Sequence, residues 1–79
     1  MDVFEEKNIL PFLQKRNLLS RYSKCKNFLR EDLLKVVDFK IRKPKSQGIY
    51  SFRINKKFRA FGIFRDGNFY VFEISDHQK

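Results

Sequence analysis

The stretch Ile49-Tyr50-Ser51-Phe52-Arg53-Ile54-Asn55-Lys56-Lys57-Phe58-Arg59-Ala60-Phe61-Gly62-Ile63-Phe64 decides the fold. Two runs rich in β-branched and aromatic residues flank Asn55-Lys56-Lys57, the composition of two strands joined by a tight turn. Where the charges must go sets their register. A two-residue turn at Lys56-Lys57 pairs Asn55 with Phe58 and puts Arg59 on the Phe52 side, burying a charge among aromatics at a cost of several kcal/mol. A three-residue turn pairs Ile54 with Phe58, which places Arg53 and Arg59 on one face and Phe52, Ile54 and Phe58 on the other. Desolvation favours the second register.

The same reading extends outward in both directions. Residues 37–42 precede the pair and residues 69–75 follow it, both with strand composition. Asp66-Gly67 is a type I′ hairpin signal, and the 43–48 link holds Pro44 and Gly48. Links this short predict an antiparallel meander of four strands. Before them, Asn8 is placed to cap a helix over 9–16 that carries Pro11 in its first turn. Leu18, Tyr22, Cys25 and Leu29 then recur at helical spacing, widened by Leu19 and Phe28, with Arg21, Lys24 and Lys26 on the polar side. Cys25 falls inside that stripe and reads as a small buried apolar residue. The expected class is α+β: two N-terminal helices packed on a four-stranded antiparallel sheet, residues 1–79 forming one domain, with one sheet face left open for function.

Seventy-nine residues hold one small core, and 42% apolar with 16% aromatic content argues for folding rather than a charged disordered tail. No apolar run approaches the roughly 20 residues of a membrane span. The acidic start Met1-Asp2-Val3-Phe4-Glu5-Glu6 lacks a secretory layout, so a cytoplasmic protein is expected. One Cys and one His assemble neither an intramolecular disulfide nor a closed zinc site.

The charge is concentrated in one segment. Residues 40–59 carry eight basic side chains and no acid, against +9 for the whole chain. These are Lys40, Arg42, Lys43, Lys45, Arg53, Lys56, Lys57 and Arg59, interleaved with Tyr50, Phe52 and Phe58. A solvated face is the common meaning of such a run. The aromatics instead place these charges on an ordered sheet, where they form a preorganised surface for a polyanion.

The segment 48–60, followed by Asp66-Gly67 and Val71-Phe72-Glu73-Ile74-Ser75-Asp76-His77-Gln78, resembles the RelE/ParE toxin superfamily, nearest to short RelE-like and HigB-like toxins of toxin–antitoxin pairs. The likeness spans roughly residues 8–78 and rests on Phe-Arg-Ile-Asn, Phe-Arg and the terminal Asp-His at these spacings. It departs from the best-known RelE pattern in lacking an N-terminal strand and a C-terminal helix, and it has Asp76-His77-Gln78 where HigB-like chains commonly read Asp-Tyr-His. The resemblance implies helices on a small antiparallel sheet and a ribosome-dependent endoribonuclease that cuts messenger RNA. It also implies a cognate antitoxin partner. The ParE branch, which poisons DNA gyrase, and a noncatalytic RNA-binding module are the alternatives.

RNA cleavage by the adjacent 2′-hydroxyl requires no metal or cofactor, because the substrate brings its own nucleophile. The protein supplies proton transfer and fixed cations. His77 has the imidazole suited to proton transfer, although a histidine so placed is more often idle. Asp76 can orient it or act as a weak base. Arg53 and Arg59 offer planar forks for phosphate oxygens, or else are rim charges around the aromatic core. Lys40, Arg42, Lys43, Lys45, Lys56 and Lys57 are the expected RNA-binding set.

Overall fold

Asn55 closes the central turn with its own side chain, whose Oδ1 accepts the backbone N–H groups of Lys57 and Phe58 at 2.9 and 2.7 Å. Ile54 N–H donates to the Phe58 carbonyl at 3.0 Å, so the three-residue turn is the one formed and Arg53 lies opposite Arg59. Asp66 and Gly67 both adopt positive φ, 53° and 80°, as a type I′ turn requires. These two turns set out the strands β3 (Ile49–Arg53), β4 (Arg59–Arg65) and β5 (Asn68–Ser75).

The computed structural model describes residues 1–76. Before β3 come β1 (Val3–Glu5), α1 (Ile9–Lys15), α2 (Leu19–Arg30) and β2 (Lys40–Ile41), with 3₁₀ turns at Leu34–Val37 and Lys45–Gln47. The class is α+β, two helices on one sheet, as expected. Within the described residues, however, the sheet has five strands in the order β1-β5-β4-β3-β2 and is mixed, because β1 runs parallel to β5 with Val3 beside Phe69 and Glu5 beside Val71. The expected four-stranded antiparallel sheet and the expected lack of an N-terminal strand are both corrected. Three residues are too few to show a period, and the partner of β1 lies at the far end of the chain.

The first strand of the meander is also shorter than the expected 37–42. Val37 ends a 3₁₀ turn and Asp38 takes a left-handed backbone, φ 51°, which interrupts any strand there. Asn8 makes no side-chain capping bond to α1 among the described residues; its carbonyl instead accepts the Phe12 N–H at 3.3 Å. Asn17, at φ 56°, turns the chain between the helices.

The core lies between the helices and one sheet face. Ile9 and Leu13 from α1, Tyr22 and Leu29 from α2, and Phe52, Phe69 and Val71 from the sheet are its largest fully buried side chains. Cys25 is buried with them, and its Sγ donates to the Arg53 carbonyl at 3.4 Å; burial pushes its thiol pKa up. Glu5 on β1 ties the helix layer to the sheet: its Oε2 accepts the Tyr22 hydroxyl at 2.9 Å and meets Lys26 Nζ at 2.8 Å. Among the described residues no helix is long and apolar enough to cross a membrane.

Candidate nucleic-acid interface

On the face turned away from the helices, alternation along β3 and β4 brings Ser51, Arg53, Arg59 and Phe61 together, with Ser51 opposite Phe61 and Arg53 opposite Arg59. Lys40, Ile41, Arg42 and Lys43 from β2 and the chain after it form the wall of the resulting cleft, about 390 Å³ in volume. Five of the expected cations, Lys40, Arg42, Lys43, Arg53 and Arg59, therefore converge on one site. Arg42 lies over the Phe61 ring at 5.3 Å, which orders its guanidinium at the cleft's side.

Arg59 differs from expectation. The chosen register keeps it off the helix side, yet it is only 3% exposed. Its Nε donates to Ser51 Oγ at 3.0 Å, its Nη1 to Asp38 Oδ2 at 2.9 Å, and its Nη2 to the carbonyls of Asp38 and Ser51 at 2.7 and 3.3 Å. The fork expected to face a phosphate is turned onto the protein, so Arg59 acts at the cleft floor as a fixed positive charge. Arg53, with half its side chain exposed, keeps its guanidinium at the mouth, 3.8 Å from Asp38 Oδ2.

Asp38 is the residue that sequence reasoning missed. Its carboxylate gathers Arg59, Lys40 at 3.7 Å and Arg53. The signal was its position two residues ahead of the acid-free basic run, together with the tolerance of Asp for left-handed backbone. The Arg59 hydrogen bond, with the charges of Arg59, Lys40 and Arg53, holds the Asp38 carboxyl below its ordinary value of 3.8 against a smaller opposing desolvation. A depressed carboxylate contributes stability above its unfolded-state pKa and loses it as pH falls through the folded-state value. Asp38→Asn should therefore cost about 1 kcal/mol at pH 7, a figure kept small because the carboxylate is half in water. The gap from wild type should close in acid. Urea midpoints measured from neutral pH downward test this, and a gap that stays constant across the range would refute it.

The remaining expected residues scatter. Lys45 sits exposed in its 3₁₀ turn outside the cleft, Lys57 lies over the Phe58 ring at 5.4 Å, and Lys56 lines a groove on the helix side. Asp76 is exposed and follows Ser75, the backbone partner of Arg59, so the chain leaves the sheet at the Arg53–Arg59 end of the cleft. His77 lies outside the described residues. Among the described residues no three His, Cys, Asp or Glu side chains group to hold a metal ion. The cleft can bind an anion through exposed Arg and Lys donors around the buried, fixed guanidinium of Arg59. No protein-family model and no curated protein matches this chain.

Proposed function

We propose that the cleft between β2, β3 and β4 holds the phosphate backbone of messenger RNA, and that the chain, as one domain, is a RelE/ParE-like toxin: a ribosome-dependent endoribonuclease that inhibits translation and is restrained by a cognate antitoxin. The observation that carries this reading is the convergence of Lys40, Arg42, Lys43 and Arg53 on an open sheet face above the buried Arg59. Such a surface supplies exposed donors for phosphate oxygens and a charge held in place before the substrate arrives. Attack by the 2′-hydroxyl needs nothing beyond this except proton transfer, which the proposal gives to Asp76, where the chain leaves the sheet, and to His77.

One observation favours a noncatalytic RNA-binding module as a second reading. Among the described residues that line the cleft, which are Lys, Arg, Ser, Ile and Phe, there is neither a carboxylate nor an imidazole. Incubating the purified chain with messenger RNA, with and without ribosomes, and mapping the RNA ends by primer extension separates the two readings. New ends only with ribosomes support the toxin. Salt-sensitive binding with RNA left intact supports the module, and inhibited gyrase supercoiling without RNA binding would overturn both in favour of the ParE-like activity.

Arg53→Ala gives a further test, because its exposed side chain can be removed without disturbing the core. Cleavage, or RNA affinity under the second reading, should fall about tenfold, and the slope of log affinity against log salt should drop by about one. Full activity with an unchanged slope would place Arg53 outside the interface.

A further inference from the structure

A second groove, of about 480 Å³, opens on the helix side between α2, the 3₁₀ turn Leu34–Val37 and the β3–β4 turn. Its floor is apolar: Cys25, Phe28, Val36, Val37 and Ile54. Arg21, Lys24, Arg53 and Lys56 line it as well, and none of the described residues of the lining is a carboxylate. Val36 is 59% exposed, the most open large apolar side chain among the described residues, and Leu33 nearby is 46% exposed. Arg21 is already oriented there, since its Nε donates to the Ile54 carbonyl at 3.1 Å.

We propose that this groove docks an acidic peptide segment of a protein partner, with aliphatic side chains on Val36 and Val37 and carboxylates on Arg21, Lys24 and Arg53. Charge complementarity sets the occupant's sign: Arg21, Lys24 and Arg53, with no carboxylate among the described residues of the lining, on a chain of +9, select a polyanion. The floor sets its class. RNA phosphates would satisfy the cations and leave Val36 and Leu33 in water, and the mostly aliphatic floor provides little surface for stacking bases. A peptide that alternates acidic and aliphatic residues answers both features, in the manner of an amphipathic segment laid into a groove.

Arg53 belongs to both the groove and the cleft. Its 3.8 Å pairing with Asp38 is half-exposed and weak, so a peptide carboxylate can draw it toward the groove and away from the cleft mouth. The inference deepens the partner half of the function proposed above. It is tested without RNA cleavage, so the failure of one leaves the other standing.

The test is a titration of the ¹⁵N-labelled full chain with a synthetic peptide of about twelve residues, Leu or Ile at helical spacing and Glu at the polar positions, alongside its Glu→Gln counterpart and a short oligouridine. The acidic peptide should shift the amides of Lys24, Phe28, Val36, Val37 and Asn55, with the Gln counterpart much weaker. Lys24→Glu combined with Val36→Asp, both on exposed side chains, should weaken binding at least about tenfold, whereas Lys15→Glu on α1 should leave it unchanged. The proposal is overturned if the peptide shifts none of these amides at millimolar concentration or shifts only cleft amides. It is likewise overturned if the double variant, shown folded by circular dichroism, binds as wild type, or if oligouridine shifts the groove amides and the peptide does not.

Discussion

An Arg59→Ala protein is expected to be about 3 kcal/mol less stable than wild type, lowering the melting temperature of a domain this size by about 15 °C. The side chain is 4% exposed and makes four hydrogen bonds, two to Asp38 and two to Ser51. Its removal leaves the Ser51 hydroxyl and the Asp38 carbonyl without their donor, in a space Ala cannot fill. It also frees the segment at Asp38 that leads into β2, the wall of the cleft. Arg59→Lys should recover little of this, because one ammonium cannot span Ser51 and Asp38 as the planar fork does. Arg59→Met should recover part of it, since its side chain fills the space that Ala leaves while Ser51 and Asp38 still lack their donor. Thermal unfolding followed by circular dichroism distinguishes the three variants. An Arg59→Ala protein that melts with wild type would show that the pairing contributes nothing. The expectation also governs how activity is read: loss of toxicity on truncating Arg59 measures folding first, so Arg53→Ala is the variant that reports on RNA.

Gly62→Ala is expected to be as damaging, for a steric reason. A Cβ built at Gly62 falls 2.3 Å from the Tyr70 carbonyl oxygen and 2.7 Å from the Phe69 ring. The oxygen belongs to the backbone of the adjacent strand, so no rotamer change relieves the contact. Here β5 carries an extra residue, since Phe61 pairs with Glu73 and Gly62 with Val71, leaving Phe72 between them. The bulge and the fully buried Phe69 ring close over the glycine. Separating β4 from β5 to admit a methyl should cost about 3 kcal/mol, the upper range for overpacking. The urea midpoint would fall with it, and Gly62→Ser should behave no better. If Gly62→Ala unfolds at the wild-type midpoint, the strands yield more readily than this packing implies.

Gly62 carried no signal in the sequence beyond being a glycine within a strand. The central hairpin, by contrast, was legible because local chemistry and desolvation agreed: Asn55 closes the turn, and the register that spares Arg59 from the helix side is the one adopted. The stripe Leu18, Tyr22, Cys25 and Leu29 likewise stated its own burial, as each residue lies one helical turn from the next. The gathering of Lys40, Arg42, Lys43, Arg53 and Arg59 at one cleft followed from that register and the run of charge.

Contacts between residues far apart in the chain were decided only by the tertiary structure. Strand β1 exists because Val3–Glu5 finds the backbone of β5, and three residues have no periodicity to announce it. Alternation assigned Arg59 to a sheet face and could not say whether that face was wet. Asp38, twenty-one residues away, reaches it through a left-handed turn that delays the start of β2, and so a side chain expected to meet a phosphate became a buried, fully engaged charge. Periodicity reports which side of an element a residue takes, whereas solvent exposure depends on what the rest of the chain lays over it.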